Sequence, residues 1–336
     1  MLTIICDAPG KLSAIDRARP VRNEGEVLLR VRRIGVCGTD LHIFMGNQPY
    51  LSYPRVMGHE LAASVEEAGP GSALRPGDLV AVIPYISCGE CDACRKGKTN
   101  CCRRLGVLGV HRDGGMAEYI SIPERFVLPA DGLTVDQTAM VEFLAIGAHA
   151  VARARLRRGD KVLIAGAGPI GLAVATFAAL EGASITLLDG REDRLAFARN
   201  TLGITSTVTV GPGDVEALAA ITGGDFFDTV FDATGSPRAM ERGFGFVAHG
   251  GSYVLVSIVS GDITFSDPEF HKRETSLFSS RNATIDDFRH VMATLRAGRV
   301  PDALITHRMA LADVPARFAG LTDPAAGVVK AMVEVA

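Results

Sequence analysis

Four cysteines stand close together in the run SCGECDACRKGKTNCC, in the register C-x₂-C-x₂-C-x₇-C: Cys88, Cys91, Cys94 and Cys102. Cysteines separated by two residues can bind the same tetrahedral Zn²⁺, and four sulfurs complete its coordination shell. A disulfide cluster is the alternative, but the chain has seven cysteines, an odd number, and its first residues lack the pattern of an export signal. The spacing therefore predicts a structural zinc with no open position for water.

A second group of metal-binding residue types precedes this run. Cys37 begins the segment CGTDLH, and His59 and Glu60 follow Gly58 in the segment GHE. One thiolate, one imidazole and nearby carboxylates can hold a catalytic Zn²⁺ that keeps a fourth position open and acts as a Lewis acid. In isolation, such a histidine is more often a structural residue and such a cysteine a small buried hydrophobe. Together with the four-cysteine run and the dinucleotide motif below, they predict a second, reactive zinc.

The dinucleotide motif is a glycine-rich turn between an apolar strand and an apolar helix. The strand KVLIAG leads directly into the pattern G-x-G-x-x-G formed by Gly166, Gly168 and Gly171. The first glycine allows the tight turn, the second lets the backbone approach a pyrophosphate, and the third lets helix and strand pack closely. The start of the following helix would supply N–H groups and partial positive charge to the phosphates.

An acidic residue stands where such a site needs one. Asp189 ends the next strand, SITLLD, about 20 residues further on, where a carboxylate accepts hydrogen bonds from the ribose hydroxyls. The alternative role for Asp189 is a helix N-cap. An acid at this position repels a 2′-phosphate, which favours NAD over NADP, although Arg191 and Arg194 follow and a basic pair can hold that phosphate.

The elements that must position these residues lie in two regions with different patterns of predicted secondary structure. Residues 1 to about 140 carry short β-type runs separated by turn signals, as in EVLLRVRRIGV, LAASVEEAG, DLVAVIPYI and AEYISIP. From Gly159 onward apolar strands alternate with helical patterns, which predicts a parallel sheet; its strands are KVLIAG, SITLLD, TVTV, TVFDAT, SYVLVSI and TSLFSS. After about Ser280 a helical stretch and the strand-like VVKAMVEV follow. Because six strands complete a doubly wound sheet, we expect this tail to return to the first region.

Composition narrows the class of protein. A chain of 336 residues with 47% hydrophobic residues suggests two domains, each with a core. The net charge of −3 gives no basic field, so a nucleic-acid partner is not expected. No apolar run approaches the roughly 20 residues of a membrane span. Metal-type cysteine spacing without an export signal predicts a reducing, cytoplasmic setting.

These motifs together resemble the zinc-dependent medium-chain alcohol dehydrogenases, in the branch of the sorbitol and threonine dehydrogenases. The matching segments are CGTDLH, GHE, the four-cysteine run, VEFLAIGAHA and GAGPIG. The resemblance implies an α/β protein with a GroES-like β-rich catalytic domain, residues 1–142 and 282–336, and a doubly wound Rossmann NAD-binding domain, residues 143–281. It also implies one catalytic and one structural zinc per chain, NAD as cofactor, and a homotetramer, with a dimer as the alternative.

The resemblance assigns roles to individual residues. Cys37 and His59 would bind the catalytic zinc with Glu60 or Glu142 as third ligand, and Thr39 and His42 would relay a proton. Cys88, Cys91, Cys94 and Cys102 match the structural site, whereas Cys101 is out of register. The implied cofactor contacts are Gly166, Gly168, Pro169, Ile170, Gly171, Asp189, Arg194, Ser257 and Ser280.

The substrate implied is a small secondary alcohol. Within the branch, residues 46–60, 81–88, 105–115, 265–275 and 279–284 resemble bacterial hexonate 5-dehydrogenases, particularly those acting on L-galactonate, with L-gulonate enzymes nearby. Arg281 matches a substrate-side arginine that could meet a carboxylate; weaker candidates are His111, Arg112 and Lys272. Ile43 and Asn282 stand where sorbitol enzymes carry aromatic residues, which argues against sorbitol.

Other interpretations remain. Within enzymes, the alternative is a polyol or L-threonine 3-dehydrogenase. Outside them, the chain could be a zinc-loop binding protein or a catalytically silent family member. The negative net charge argues against a zinc-loop binding protein. The joint presence of metal ligands, proton relay and glycine motif argues against a catalytically silent protein.

Overall fold

The chain forms two compact units. The computed structural model describes residues 1–48 and 51–336; Pro49 and Tyr50, which fall in the first of the hexonate-like segments, lie outside the described residues. Unit 1 comprises Met1–Phe143 and Thr284–Ala336, and unit 2 comprises Leu144–Ala283.

Short strands predominate in unit 1, whereas strands and helices alternate along unit 2. The strands are β1 (Leu2–Ala8), β2 (Lys11–Asp16), β3 (Glu26–Val36), β4 (Glu60–Glu67), β5 (Leu79–Val82), β6 (Tyr85–Ile86), β7 (Gly106–Val107), β8 (Tyr119–Pro123), β9 (Val127–Pro129), β10 (Lys161–Ala165), β11 (Ser184–Asp189), β12 (Thr207–Thr209), β13 (Phe227–Asp232), β14 (Val247–Leu255), β15 (Ser276–Ser279), β16 (Ile305–Ala310) and β17 (Lys330–Glu334). The helices are α1 (Gly38–Met45), α2 (Asp92–Arg95), α3 (Val135–Ala154), α4 (Pro169–Leu180), α5 (Glu192–Leu202), α6 (Asp214–Thr222), α7 (Pro237–Gly243), α8 (Asp267–Lys272), α9 (Ile285–Arg296) and α10 (Val314–Arg317). Single 3₁₀ turns lie at Thr99–Cys101, Glu124–Phe126, Phe244–Phe246, Asp302–Leu304, Leu311–Asp313, Phe318–Thr322 and Pro324–Ala326. In the described part of the chain, none of the helices combines the length and the apolar character that a membrane crossing requires.

Unit 1 is built on a mixed sheet with the strand order β16-β17-β3-β4-β5-β9, in which β8 also pairs with β3. The long strand β3 lies in the middle of this sheet, and its apolar residues Val27, Leu29 and Ile34 are fully buried. The late strand β17 runs antiparallel to β3 and parallel to β16. The last strand of the chain thus lies in the sheet of the first region.

One predicted strand of unit 1 is divided in two. The run DLVAVIPYI forms β5 and then the separate short strand β6, which pairs with β7 instead of continuing the main sheet. Pro84 lies between them, and a proline has no N–H to donate to a ladder. The break turns the chain toward the four-cysteine segment that follows.

Unit 2 is a parallel six-stranded sheet in the order β12-β11-β10-β13-β14-β15. Its core contains Leu163, Val230 and Tyr253, all fully buried, as expected for strands covered on both faces. The six predicted strands and the doubly wound order are confirmed. In this order the two central strands, β10 and β13, flank the point at which the strand order reverses, and ligands bind outside the carboxyl ends of the strands there.

Candidate active site

The four-cysteine segment folds into one compact sulfur cluster. The Sγ atoms of Cys88 and Cys102 lie 3.4 Å apart, those of Cys91 and Cys94 3.5 Å, and those of Cys88 and Cys94 3.9 Å. Sulfurs at the corners of a zinc tetrahedron lie about 3.8 Å apart, given Zn–S bonds of about 2.3 Å, whereas a disulfide needs about 2.05 Å. All four cysteines are free thiols. The cluster therefore fits a zinc ion and excludes a disulfide among these residues.

Backbone amides support negative charge on these sulfurs. The amide of Cys91 donates to Cys88 Sγ at 3.4 Å, and the amides of Cys88 and Arg104 each donate to Cys102 Sγ at 3.3 Å. The Cys91 amide is the main reason that the pKa of Cys88 is lowered to about 6. Since the thiolate is the metal-binding form, the loop is arranged to hold a cation. Cys101 is exposed and lies outside the cluster.

The second donor group gathers at the edge where β3 ends and β4 begins. Cys37 follows β3 and is the N-cap residue of α1, His59 immediately precedes β4, and Glu60 is its first residue. One ligand atom from each of these three residues lies within 4.8 Å of the others. His59 and Glu60 are buried, and Cys37 is partly exposed. Three donors with one partly exposed side fit a metal that keeps a position for substrate.

Asp40 organises this donor group. Its buried carboxylate accepts hydrogen bonds from the amides of Cys37 at 2.9 Å and Gly58 at 3.1 Å, and it lies 3.9 Å from His59 Nδ1. Burial alone would lower the pKa of His59, but the Asp40 carboxylate and the Cys37 thiolate raise it well above its ordinary value. The buried Nδ1 has no hydrogen-bond partner among the described residues. The donor group therefore carries an excess of negative charge, which a divalent cation would neutralise.

Glu60 faces a buried cation on the other side. Lys330 of β17, 1% exposed, places its Nζ 2.5 Å from the Glu60 carboxylate, 3.2 Å from the Val36 carbonyl and 4.4 Å from the centre of the Phe143 ring. Glu60 is paired with Gly35 across β3 and β4, and a Cβ at Gly35 would lie 1.9 Å from its Oε2. Only glycine at position 35 leaves space for this carboxylate.

Glu142, the alternative third ligand, lies outside the three-residue donor group in this structure. Its carboxylate accepts a hydrogen bond from the hydroxyl of Tyr85. Burial raises the pKa of Glu142 to about 7, an effect that the His59 imidazole partly offsets. Glu142 therefore contributes to the field at His59 while its own carboxylate is bound by Tyr85.

The residues of the predicted proton relay both belong to α1. Thr39 and His42 are three positions apart and so share a helix face. His42 is exposed, and its Nδ1 lies 2.8 Å from the Asn47 side-chain oxygen. Ile43 on the same helix is fully buried, so the position occupied by tyrosine in sorbitol enzymes is filled in this chain by a core residue.

In unit 2 the glycine motif forms the turn between β10 and α4. Gly166 has φ +97°, and a Cβ at Gly171 would lie 1.7 Å from the Gly166 carbonyl oxygen. Gly168 is the N-cap residue of α4, Pro169 occupies its first turn, and Ile170 follows. The first amides of this helix have no partner within the helix. This turn fits a pyrophosphate because no side chain obstructs the backbone.

Asp189 borders a cavity of about 700 Å³ beside that turn, lined among others by Gly166, Arg194 and Arg242. Its carboxylate accepts from the amides of Ala167 at 2.7 Å and Arg191 at 2.8 Å. Arg194 lies 3.8 Å from it. The cavity has the size of a small-molecule site, and Asp189 is held in place by backbone donors before any ribose is bound.

The ends of β14 and β15 carry the remaining predicted contacts. The Ser257 hydroxyl accepts from the Gly235 amide at 2.9 Å. The side-chain oxygen of Ser280 and the Nδ2 of Asn282 are buried with no partner among the described residues. Asn282 has φ +52°, in the left-handed region. Arg281 between them is exposed. Polar atoms left unsatisfied beside a strained residue mark a turn suited to a polar ligand.

Two of the three weaker carboxylate-binding candidates have local partners. His111 Nδ1 accepts from the Val107 amide at 3.1 Å, and Lys272 lies 3.7 Å from Glu269. Arg112 is exposed.

Sequence reasoning gave no role to Asp40, Tyr85 or Lys330, although all three are central to the donor group. Asp40 stands inside the CGTDLH segment, and an acid there was a usable signal. Lys330 is a single cation in the apolar run VVKAMVEV, and a charge in a buried strand predicts a buried partner. Nothing in the sequence marks Tyr85, because its hydrogen bond to Glu142 depends on the break between β5 and β6.

Known families and structures match the whole arrangement. Residues 23–132 match the alcohol dehydrogenase GroES-like domain, and residues 169–297 match the zinc-binding dehydrogenase family. The chain is 42% identical to L-galactonate-5-dehydrogenase of Escherichia coli K12, with 92% of this chain and 91% of that protein covered. It is 33% identical to L-threonine 3-dehydrogenase of Bacillus velezensis, with 89% of each covered. A crystal structure of an alcohol dehydrogenase from E. coli CFT073 complexed with NADH superposes with a TM-score of 0.92, at 29% identity and 99% coverage of both chains.

A thiolate–imidazole–carboxylate group, a four-thiolate loop and a glycine turn on a doubly wound sheet thus occur in a chain that matches the zinc-binding dehydrogenase family. The chain belongs to the zinc-type medium-chain alcohol dehydrogenases.

Proposed function

We propose that this dehydrogenase oxidises a hexonate at C5 with NAD, taking L-galactonate first and L-gulonate second to the 5-keto acid. The observation that carries the substrate is the 42% identity to L-galactonate-5-dehydrogenase, compared with 33% to L-threonine 3-dehydrogenase. As part of the same proposal, residues 1–142 and 282–336 form the zinc-binding catalytic domain, residues 143–281 form the NAD-binding domain, and the chain assembles as a homotetramer.

In the donor group, Cys37, His59 and Glu60 hold the catalytic zinc, and Asp40 orients His59. A zinc ion held there would supply Lewis-acid polarisation of the substrate hydroxyl, and a bound nicotinamide would supply the hydride acceptor. Thr39 takes the hydroxyl proton, and His42 passes it to water. The exposed position of His42 supports this last step.

NAD is favoured over NADP because Asp189 places a negative charge where a 2′-phosphate would sit. Arg194 lies close enough to Asp189 to be held by it. Arg191 is bound by Asp193, with its Nη2 2.5 Å from an Asp193 oxygen. Both arginines are thereby directed toward carboxylates of the protein.

A carboxylate on the substrate would be met by Arg281. Asn282 supports this assignment, since its buried Nδ2 still has a hydrogen bond to give and the position is aromatic in polyol enzymes. Ser280 adds a second unsatisfied polar atom to the same turn. A neutral polyol has no carboxylate to pair with this set of donors.

Removing the catalytic thiolate tests the reactive site. Cys37→Ala should lose about one zinc per chain and lower kcat/KM about 10³-fold or more, because a metal Lewis acid supplies several kcal/mol of transition-state stabilisation. Metal analysis and NADH formation measure both effects. Cys6→Ala, at a buried cysteine outside both clusters, should keep both zincs. Full activity in the Cys37 variant would refute the assignment.

The two neighbouring thiols Cys91 and Cys101 give a matched test of the structural site. Cys91→Ser should lose about one zinc per chain and unfold at lower temperature, because a structural zinc contributes folding free energy. Cys101→Ser should change neither zinc content nor the thermal midpoint. A wild-type protein without thiolate-bound zinc would contradict both site assignments.

Cofactor choice is tested at Asp189. Asp189→Ala should raise KM for NAD about tenfold and reduce the discrimination against NADP, because the carboxylate both accepts from the ribose and repels a phosphate. Glu192→Ala is the control, since that neighbouring acid is exposed and bound to Arg199 and Thr209. A wild type that already prefers NADP would transfer the role to Arg191 and Arg194.

The substrate is tested by NADH formation across hexonates, the matching hexitols and L-threonine. L-galactonate should exceed its hexitol in kcat/KM by about tenfold or more, because a hydrogen bond to a charged group contributes about 1.5–3 kcal/mol and each 1.4 kcal/mol is a factor of ten. Arg281→Ala should remove most of this preference, whereas Lys272→Ala should keep it. A clear preference for L-threonine or sorbitol would identify the alternative enzymes.

A further inference from the structure

Asp232 is a buried carboxylate with no cation beside it. It is the last residue of β13, the central strand next to β10, and it is 0% exposed. Among the residues that the structure describes, it takes part in none of the ion pairs. Its hydrogen-bond donors are instead neutral: the Thr234 amide at 3.0 Å, the Thr234 hydroxyl at 2.9 Å and the Ser257 hydroxyl at 3.2 Å.

The Thr234 and Ser257 hydroxyls connect the Asp232 carboxylate to backbone amides. Thr234 Oγ1 accepts from the Ser236 amide at 3.1 Å, and Ser257 Oγ accepts from the Gly235 amide at 2.9 Å. Because each hydroxyl gives its single proton to the carboxylate, its lone pairs are available for these amides. Asp232 thus orders the loop after β13 together with the first residues after β14. The Thr234 amide and the Thr234 and Ser257 hydroxyls thus all donate to the Asp232 carboxylate.

This loop also lies against the glycine motif. The Ala233 amide donates to the Ala165 carbonyl at 2.8 Å, and a Cβ at Gly166 would lie 2.8 Å from the Ala233 carbonyl oxygen. Asp232 is therefore at the point of strand-order reversal, where a dinucleotide crosses the carboxyl ends of the strands. If Asp189 on β11 binds the adenosine ribose as proposed, the nicotinamide half would extend in the other direction, past β13.

The two redox forms of the cofactor differ in the charge of that half. The oxidised nicotinamide ring carries a positive charge, and the reduced ring is neutral. A negative charge in a low-dielectric surrounding stabilises a nearby positive one and does little for a neutral group. Burial raises the pKa of Asp232, which hydrogen bonds from Thr234 and Ser257 oppose. A positively charged nicotinamide ring beside Asp232 would favour the ionised form of its carboxyl group.

We propose that Asp232 is a positioning residue whose buried charge makes unit 2 bind the oxidised dinucleotide more tightly, relative to the reduced one, than the same fold would without that charge. This inference rests on the dinucleotide binding proposed above and is independent of the alcohol substrate. It assigns Asp232 two effects that can be separated. The hydrogen bonds order the loops for both forms of the cofactor, and the charge selects between the forms.

The test is the ratio of the dissociation constants for NAD⁺ and NADH, measured by calorimetry or fluorescence without alcohol. Asp232→Asn should raise the Kd for NAD⁺ about tenfold more than the Kd for NADH. Asp228→Asn is the matched control, because Asp228 lies on the same strand, is exposed, and accepts from the Lys161 amide at 2.7 Å. That control should leave both constants unchanged.

A second pair of variants separates charge from order. Thr234→Val removes a hydroxyl and keeps the charge, so it should weaken NAD⁺ and NADH by similar factors. Asp232→Ser removes the charge with a small polar side chain and should repeat the selective loss if the asparagine variant folds poorly. An unchanged ratio in folded Asp232 variants overturns the inference, while failure of the wild type to bind either dinucleotide overturns the proposed function instead.

Discussion

The structure depends on a cluster of acidic groups among the buried residues of unit 1. A thiolate, two glutamates and an aspartate surround one buried histidine, and such a set is stable only with compensating cations. Lys330 supplies one of them, and a metal at Cys37, His59 and Glu60 supplies the other. Leaving a buried charge of this kind without its partner typically costs on the order of 3–5 kcal/mol, which is why β17 must pair with β3 at this point.

Unit 2 also contains buried carboxylates, but neutral hydrogen-bond donors satisfy them. Its two carboxylates at the carboxyl edge of the sheet, Asp189 and Asp232, are satisfied by amides and hydroxyls of the surrounding loops. These loops are consequently ordered by the same acids that we propose to act on the cofactor. Binding then requires little rearrangement, because the donors and acceptors are already oriented.

Much of this organisation could be predicted from the sequence, because local spacing encodes it. The four cysteines and the glycine turn each act within a short segment, and alternating strands and helices determine the sheet order. Which of Glu60 and Glu142 lies with Cys37 and His59 could not be predicted, since it depends on Gly35 opposite Glu60 and on Tyr85 beside Glu142. Lys330 could be noticed as an isolated charge, but its partner lies far away in the sequence. Asp232 ended a predicted strand without any motif to mark it.

The position of Lys330 along the chain affects how the enzyme is made. Its strand, β17, follows the whole of unit 2, yet it pairs beside β3 in the sheet that carries Cys37 and Glu60. During synthesis, at about 5–20 residues per second, the first part of unit 1 leaves the ribosome on the order of ten seconds or more before this lysine exists. Until then Glu60 has neither its lysine nor a complete sheet around it. The nascent metal site therefore remains open to water while the nucleotide-binding unit folds, and it closes only when the last strand is inserted.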